Sequence, residues 1–191
     1  MVSFVLPAFK AAYLHDAVAS ILAQDYLLFE LIIVDDASPE DLEAIVSRFQ
    51  DSRVAYFRNT ENYGGQDLVS SWSRAVRRAR GEFCVLASDD DLYAPTFLSS
   101  MLRLADAHPE CDIFHCRIGM INATGAVTKI AEKRPEYESC ADMMYARGIK
   151  RCFQVAPEFF FRRSAFERIG GFVNFPVGWY SDEATWYALA A

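Results

Sequence analysis

The sequence predicts an α/β fold built on a mostly parallel central sheet. Three observations carry that expectation. Short apolar runs recur at Val2–Leu6, Phe29–Val34, Val54–Phe57 and Phe83–Ala87, each rich in residues that suit a buried strand. Between them apolar residues return at helical spacing, as Leu14, Val18, Ile21 and Leu22, then Leu42, Ile45, Val46 and Phe49, then Leu68, Trp72, Ala75, Val76 and Ala79. Finally, carboxylates follow the second and fourth runs, as Asp35-Asp36 and, after Ser88, as Asp89-Asp90-Asp91. Strands that alternate with helices imply right-handed crossovers and parallel pairing. Both acidic groups then face one sheet edge, the edge where open α/β sheets bind ligands.

Taken in order, the first strand is expected to end at Pro7 and the first helix near Gln24. Ser38, with Pro39 next and Asp41 three on, reads as a helix start: cap, proline at the first position, acid in the first turn. Asn59 to Gly65 is a polar loop, and Gly81 stops the third helix before the strand that feeds the aspartates. Crowding three carboxylates costs repulsion, and a desolvated one needs a partner. A divalent cation supplies it, and oxygen ligands suit Mg²⁺ or Mn²⁺. The alternative is an acidic turn leading into the helix that begins near Pro95.

The second half reads differently. A helix to about Ala107 precedes a strand over Asp112–Ile118, and Asn122–Gly125 forms a hairpin turn before Val127–Ile130. Lys133–Tyr137 is a polar loop, and residues 139–149 are weakly helical. Glu158–Arg162 is a strand, and Ser164 with Glu167 makes a capping box for a short helix closed by Gly170-Gly171. Asp182 opens a last helix in which the chain is expected to stop, as a truncated chain does.

Composition narrows the functions. The chain has 191 residues, 52% hydrophobic and 24% charged, enough for one domain with its own core. A net charge of −7 argues against nucleic acid, which needs a basic face. A phosphorylated ligand stays compatible if a metal bridges the like charges. Arg74, Arg77, Arg78 and Arg80 recur on one helix and read as a solvated face. The five cysteines are odd in number and form no C-x-x-C pair, so they read as buried small hydrophobes in a reducing compartment. No apolar run is long enough to span a membrane and the start lacks a signal-peptide pattern. The expected location is the cytoplasm, peripheral at the inner face of the membrane.

Six stretches, in order and at matching spacing, give the chain a family resemblance. They are Val2–Phe9; Ser20–Tyr26 with Phe29–Ser38; Asn62 with Gly64-Gly65; Ala79–Phe83; Ser88–Tyr93; and Phe161–Ser164 with Ile169–Phe172. Together they resemble glycosyltransferase family 2. The resemblance implies a GT-A-type, Rossmann-like three-layer sandwich forming a single domain over 1–191. Residues to about 91 would be the nucleotide-binding half, and those from about 92 the acceptor-binding half.

The resemblance also implies an activity: inverting transfer of a sugar from a nucleoside-diphosphate sugar, a UDP-sugar first, to a glycan, lipid-linked or other hydroxyl acceptor. By position, Pro7 and Phe9 would line the base pocket and Asp36 would bond the base. Asp89 would contact the ribose or the metal shell. Asp90 would bind Mn²⁺ or Mg²⁺, and Asp182 would be the general base. In-line displacement needs a carboxylate to take the acceptor proton, and charge on the departing diphosphate is offset by a metal. Trp179 and Tyr180 are candidates for sugar stacking. The sequence departs from the family pattern at Lys10, near Ser73, at Ser88 and at Ser181. Two other readings are a catalytically silent nucleotide-sugar-binding module and a sugar-phosphate nucleotidyltransferase. The second is disfavoured because the segment Pro7–Ala12 has no glycine; a dehydrogenase is disfavoured because no G-x-G-x-x-G follows a strand.

Overall fold

The computed structural model describes residues 1–191. In chain order its strands and helices are β1 (Val2–Ala8), α1 (Leu14–Leu22), β2 (Phe29–Asp35), α2 (Leu42–Val46), β3 (Val54–Arg58), α3 (Leu68–Val76), β4 (Phe83–Leu86), α4 (Phe97–Ala107), β5 (Ile113–His115), β6 (Gly119–Ile121), β7 (Val127–Ile130), α5 (Cys140–Gly148), β8 (Phe159–Arg162), α6 (Arg163–Arg168) and α7 (Ser181–Leu189). Six strands form one sheet in the order β3-β2-β1-β4-β8-β5, and β6 and β7 form a separate hairpin. The pairs β1–β2, β2–β3 and β1–β4 are parallel, as expected, whereas β8 runs antiparallel to both β4 and β5. It follows that β5 points the same way as β1 to β4, so the carboxyl ends of five strands and the start of β8 share one edge.

The strands are apolar on both sides because helices cover both faces. One layer packs Phe4, Leu6, Leu31, Ile33 and Val85 against Leu14 of α1, Leu42 of α2 and Phe97 of α4. The other packs Val5, Ile32, Val34 and Leu86 against Val69 of α3, Phe166 of α6 and Trp186 of α7. This is the three-layer arrangement expected.

Four local expectations are corrected. β1 runs through Pro7, which pairs with Val34. Val5 accepts from Ala87 N, so the odd positions of β1 turn toward β4; β4 ends at Leu86, opposite Val5, and Pro7 therefore breaks no ladder bond. Ser38 does not cap α2. Asp41 does, accepting from Ala44 N at 3.0 Å, while the Ser38 hydroxyl donates to Phe9 O at 2.6 Å and ties the β2 loop to the β1 loop. Ser164 lies inside α6, because β8 passes directly into that helix with extended Arg162 at the cap position. The last helix ends at Leu189, before the chain does. No helix is long and apolar enough to cross a membrane.

Candidate active site at the carboxyl edge of the sheet

The end of β4 is fastened to the end of β1. Asp89 Oδ2 accepts from Phe9 N at 2.7 Å and from Lys10 N at 2.8 Å. The two amides hold the carboxylate and fix how the chain leaves β1. Phe9 is thereby held with its ring 39% exposed at the edge, and Pro7 lies half-buried just before it. Phe9 and Asp89, singled out separately in the sequence, are in direct contact.

The two aspartates that end β2 divide their tasks. Asp35 is fully buried, accepts from Ser38 N at 2.7 Å and from Tyr56 Oη at 2.5 Å, and pairs with Arg58. Burial of the phenol, with the Asp35 hydrogen bond and charge, pushes the Tyr56 hydroxyl well above its ordinary pKa. Asp36 holds the next loop instead. Asn59 Nδ2 donates to its Oδ1 at 2.6 Å, Tyr63 N to the same oxygen at 3.1 Å, and Gly64 N to Oδ2 at 2.6 Å. Three of roughly four acceptor directions of the carboxylate are used, which leaves one. Gly64 is required here: a Cβ would stand 2.9 Å from Asp36 Oδ2.

Beyond Asp89 the acidic run opens to solvent. Asp90 is exposed and its Oδ1 accepts from Ser88 Oγ at 2.5 Å. Asp91 is half-buried, and burial, with the charges of Asp90 and Asp89, pushes its carboxyl up. A cation would relieve that crowding, and an all-oxygen donor set fits Mg²⁺ or Mn²⁺. No group of three or more His, Cys, Asp or Glu side chains is arranged to hold a metal ion.

The turn before α7 reaches the same edge. Gly178, at φ 73°, packs so tightly on Leu68 that a Cβ would lie 3.3 Å from the Leu68 Cβ; Leu68 also bounds Gly64. The Asp36 loop and the turn preceding Asp182 thus meet on one side chain. Val177 and Tyr180 hold left-handed backbone, at φ 55° and 59°, an uncommon state for a β-branched or bulky residue. Trp179 and Tyr180 are 70% and 59% exposed. Asp182 is the second residue of α7, after the buried Ser181, whose hydroxyl accepts from Phe175 N at 3.1 Å. Burial pushes the Asp182 carboxyl up despite its place at the helix start. Its neighbour Glu183 is taken by Arg147, at 2.6 Å and 2.7 Å.

The family model for glycosyl transferase family 2 matches residues 3–170. The chain belongs to this family. The matched span takes in Pro7, Phe9, Asp36, Asp89 and Asp90 and ends before Asp182. This family 2 chain is 33% identical over 107 residues to the Campylobacter jejuni GalNAc(5)-diNAcBac-PP-undecaprenol beta-1,3-glucosyltransferase, an overlap of 54% of this chain and 34% of the relative. It is 26% identical over 107 residues to the Escherichia coli UDP-Glc:alpha-D-GlcNAc-diphosphoundecaprenol beta-1,3-glucosyltransferase WfaP, covering 56% of this chain and 41% of that one. Among solved structures, S. aureus TarS 1-349 in complex with UDP aligns with a TM-score of 0.73 at 19% identity, over 98% of this chain and 53% of that chain. The fold is the GT-A type expected. The chain spans well under half the length of the curated relatives it matches.

Sequence reasoning singled out Asp36, Asp89 and Asp90. It missed that Asp89 is a backbone clamp, since nothing in D-D-D tells which acid turns back to the previous strand. It also passed over His115, Arg134, Glu138 and Glu158, whose association depends on contacts between distant elements.

Proposed function

We propose that this chain carries out inverting transfer of a sugar from a UDP-sugar to a hydroxyl of a lipid-linked saccharide. The observation that carries the reading is the convergence of Phe9, Asp36 and Asp89 at one sheet edge, joined through the Phe9 N–Asp89 bond of 2.7 Å, within a family 2 chain. The names of the two lipid-diphosphate glucosyltransferases and of the UDP complex support the donor and acceptor classes.

Each residue then has a task. The exposed Phe9 ring stacks on the base, and the remaining acceptor direction of Asp36 takes a base N–H. Asp89 keeps the β1 loop in place for both. Asp90, with Asp91 beside it, would hold Mn²⁺ or Mg²⁺, which would offset charge on the departing diphosphate. Asp182, its proton affinity raised by burial, takes the acceptor proton as the hydroxyl oxygen attacks the anomeric carbon and the bond to the diphosphate breaks.

Thermal unfolding with and without UDP and Mn²⁺ tests this directly. At ligand near ~100 times Kd, the stabilisation is about 2.7 kcal/mol. For a domain of this size that raises Tm by roughly 5–10 °C. Asp90→Asn abolishes the Mn²⁺-dependent part of the shift and leaves the domain folded. Absence of any shift with UDP and Mn²⁺ overturns the donor assignment.

A further inference from the structure

Two loops with different tasks border one side chain. The first is segment 59–65, whose amides hold Asp36. It passes without a break into α3. Gln66 N and Asp67 N both donate to Tyr63 O, at 3.0 and 2.6 Å, and Asp67 caps the helix by accepting from Ser70 N at 3.0 Å. The Arg74 guanidinium lies 4.2 Å from the centre of the Tyr63 ring and braces the loop from the next turns of the helix. The loop on Asp36 and the start of α3 therefore form one stiff unit.

The second is the turn 173–180, which leads into Asp182. Its base is fastened to α7. Val173 N donates to Thr185 Oγ1 at 2.9 Å and Phe175 N to Ser181 Oγ at 3.1 Å, and both hydroxyl residues are buried. Its tip is different. Val177 is 80% exposed and Trp179 and Tyr180 are exposed beside it. Val177 and Tyr180 keep the left-handed backbone that a branched or bulky residue avoids. Such a conformation persists only where its surroundings hold it. What holds this one is the start of α3.

Leu68, the first residue of α3, stands between the two loops. A Cβ at Gly64 would lie 3.7 Å from Leu68 Cδ1, and one at Gly178 would lie 3.5 Å from Leu68 Cδ2. One methyl borders the Asp36 loop and the other borders the turn. The Asp67 carboxyl, held below the ordinary carboxylate range chiefly by Ser70, also faces the Asn174 side chain. A close-packed contact of this kind passes on a displacement instead of absorbing it.

We propose that Leu68 is a positioning residue: it couples the loop on Asp36 to the turn before Asp182, so that a nucleotide bound at the loop seats the turn and sets Asp182. The tasks of Asp36 and Asp182 rest on the transferase reading. The turn has two states, one seated on Leu68 with Val177 left-handed and one released with that strain relieved. A ligand that stiffens segment 59–65 favours the seated state. By linkage, the seated turn favours the ligand by the same factor.

The test reads the tip of the turn. Trp179 is exposed, Trp72 half-buried and Trp186 buried, so acrylamide quenching of tryptophan fluorescence reports chiefly on Trp179. Trp179→Phe removes that signal. In the parent, UDP with Mn²⁺ raises Tm and lowers the quenching of Trp179. Leu68→Ala shortens the side chain at a helix start that accepts alanine well. It keeps the UDP thermal shift, with affinity weaker by no more than about tenfold, and loses the quenching response. Leu68→Met regains the reach and restores the response. Cooperative melting establishes that each variant folds. UDP lying directly over Trp179 would lower quenching in Leu68→Ala as well, so a response of parental size in that variant overturns the proposal. So does a parent that binds UDP with no quenching response, and so does a Leu68→Met that behaves like Leu68→Ala. A Leu68→Ala that binds no UDP would make Leu68 a part of the nucleotide loop alone and overturns the coupling too. All four outcomes leave the donor reading standing. A parent without any UDP shift sinks the donor reading, and the coupling with it.

Discussion

The two halves of the chain hold their carboxylates by different means. In residues 1–91 two acids at the edge are held chiefly by backbone amides, Asp89 by Phe9 and Lys10 and Asp36 by Tyr63 and Gly64, whereas Asp35 takes one amide, from Ser38, and two side chains, Tyr56 and Arg58. In the rest of the chain they are held mainly by side chains from other elements. Glu138 is held by Arg134 and His115, Glu183 by Arg147, and Asp112 by Arg168. Backbone amides are fixed by the fold and cannot swing away, so a carboxylate on amides stays in place. A carboxylate on side chains can change partner and protonation. The first half thus sets its edge acids in a fixed frame and the second half in an adjustable one.

The strongest way to break this comparison is Asp182→Asn. Amide and carboxylate are nearly isosteric, so the fold and the nucleotide thermal shift persist. Transfer to an acceptor falls by about 10²–10⁴-fold, the usual worth of a positioned base. Glu183 cannot take over while Arg147 holds it at 2.6 Å. Transfer within a few-fold of the parent would reduce Asp182 to a helix-start residue and leave the acceptor side without a base.

One substitution type, placed in each half, sharpens the contrast further. Gly64→Ala puts a Cβ 2.9 Å from Asp36 Oδ2, so the carboxylate must leave its 2.6 Å bond to the Gly64 amide. The expected cost is about 1.5–3 kcal/mol for a bond to a charged group, with a smaller UDP shift. Gly148→Ala, at the end of α5, meets nothing within 4 Å and gains roughly 0.5–1 kcal/mol from helix propensity. Equal effects of the two changes, read from denaturant midpoints, would remove the distinction between a tight loop and an open helix end.

What could be read from the sequence follows the same division. The first half is built from local patterns: apolar runs, helical spacing and acids at strand ends all report on their own surroundings. The α/β class, the four parallel strands and the edge carrying Asp36, Asp89 and Asp90 were therefore legible. Errors there were of detail. Pro7 is tolerated because β4 has already ended beside it, and Ser38 is drawn away from its helix by Phe9 O. Neither fact is local. The antiparallel insertion of β8 between β4 and β5 was not legible, because periodicity says nothing about strand direction. Without that insertion His115 and Glu158 look like scattered residues.

The mildest test is the response of stability to pH, and it bears on whether the second half is adjustable at all. Glu158 has an ordinary pKa near 4.5 that burial raises to about 8 in the folded chain. Between those values the folded protein keeps a proton that the unfolded chain has released. The stabilisation is complete below 4.5 and is lost as pH rises toward about 8. His115 acts in the opposite sense. Burial and Arg134 lower its pKa below the ordinary 6.5, so its contribution makes stability rise with pH up to that point. Asp91 and Asp182 are raised, with the same sign as Glu158, and Cys116, beside Glu158, is pushed to about 12 and matters only in alkali. The cleanest window for Glu158 is therefore above 6.5 and below about 8, where His115 has finished. There one proton changes stability by up to about 1.4 kcal/mol per pH unit. Chemical denaturation of the parent across this window shows a fall, and Glu158→Gln, which cannot titrate, flattens it. A variant that falls as steeply as the parent would mean the Glu158 carboxyl is ionised throughout, and the second half would be as fixed in charge as the first.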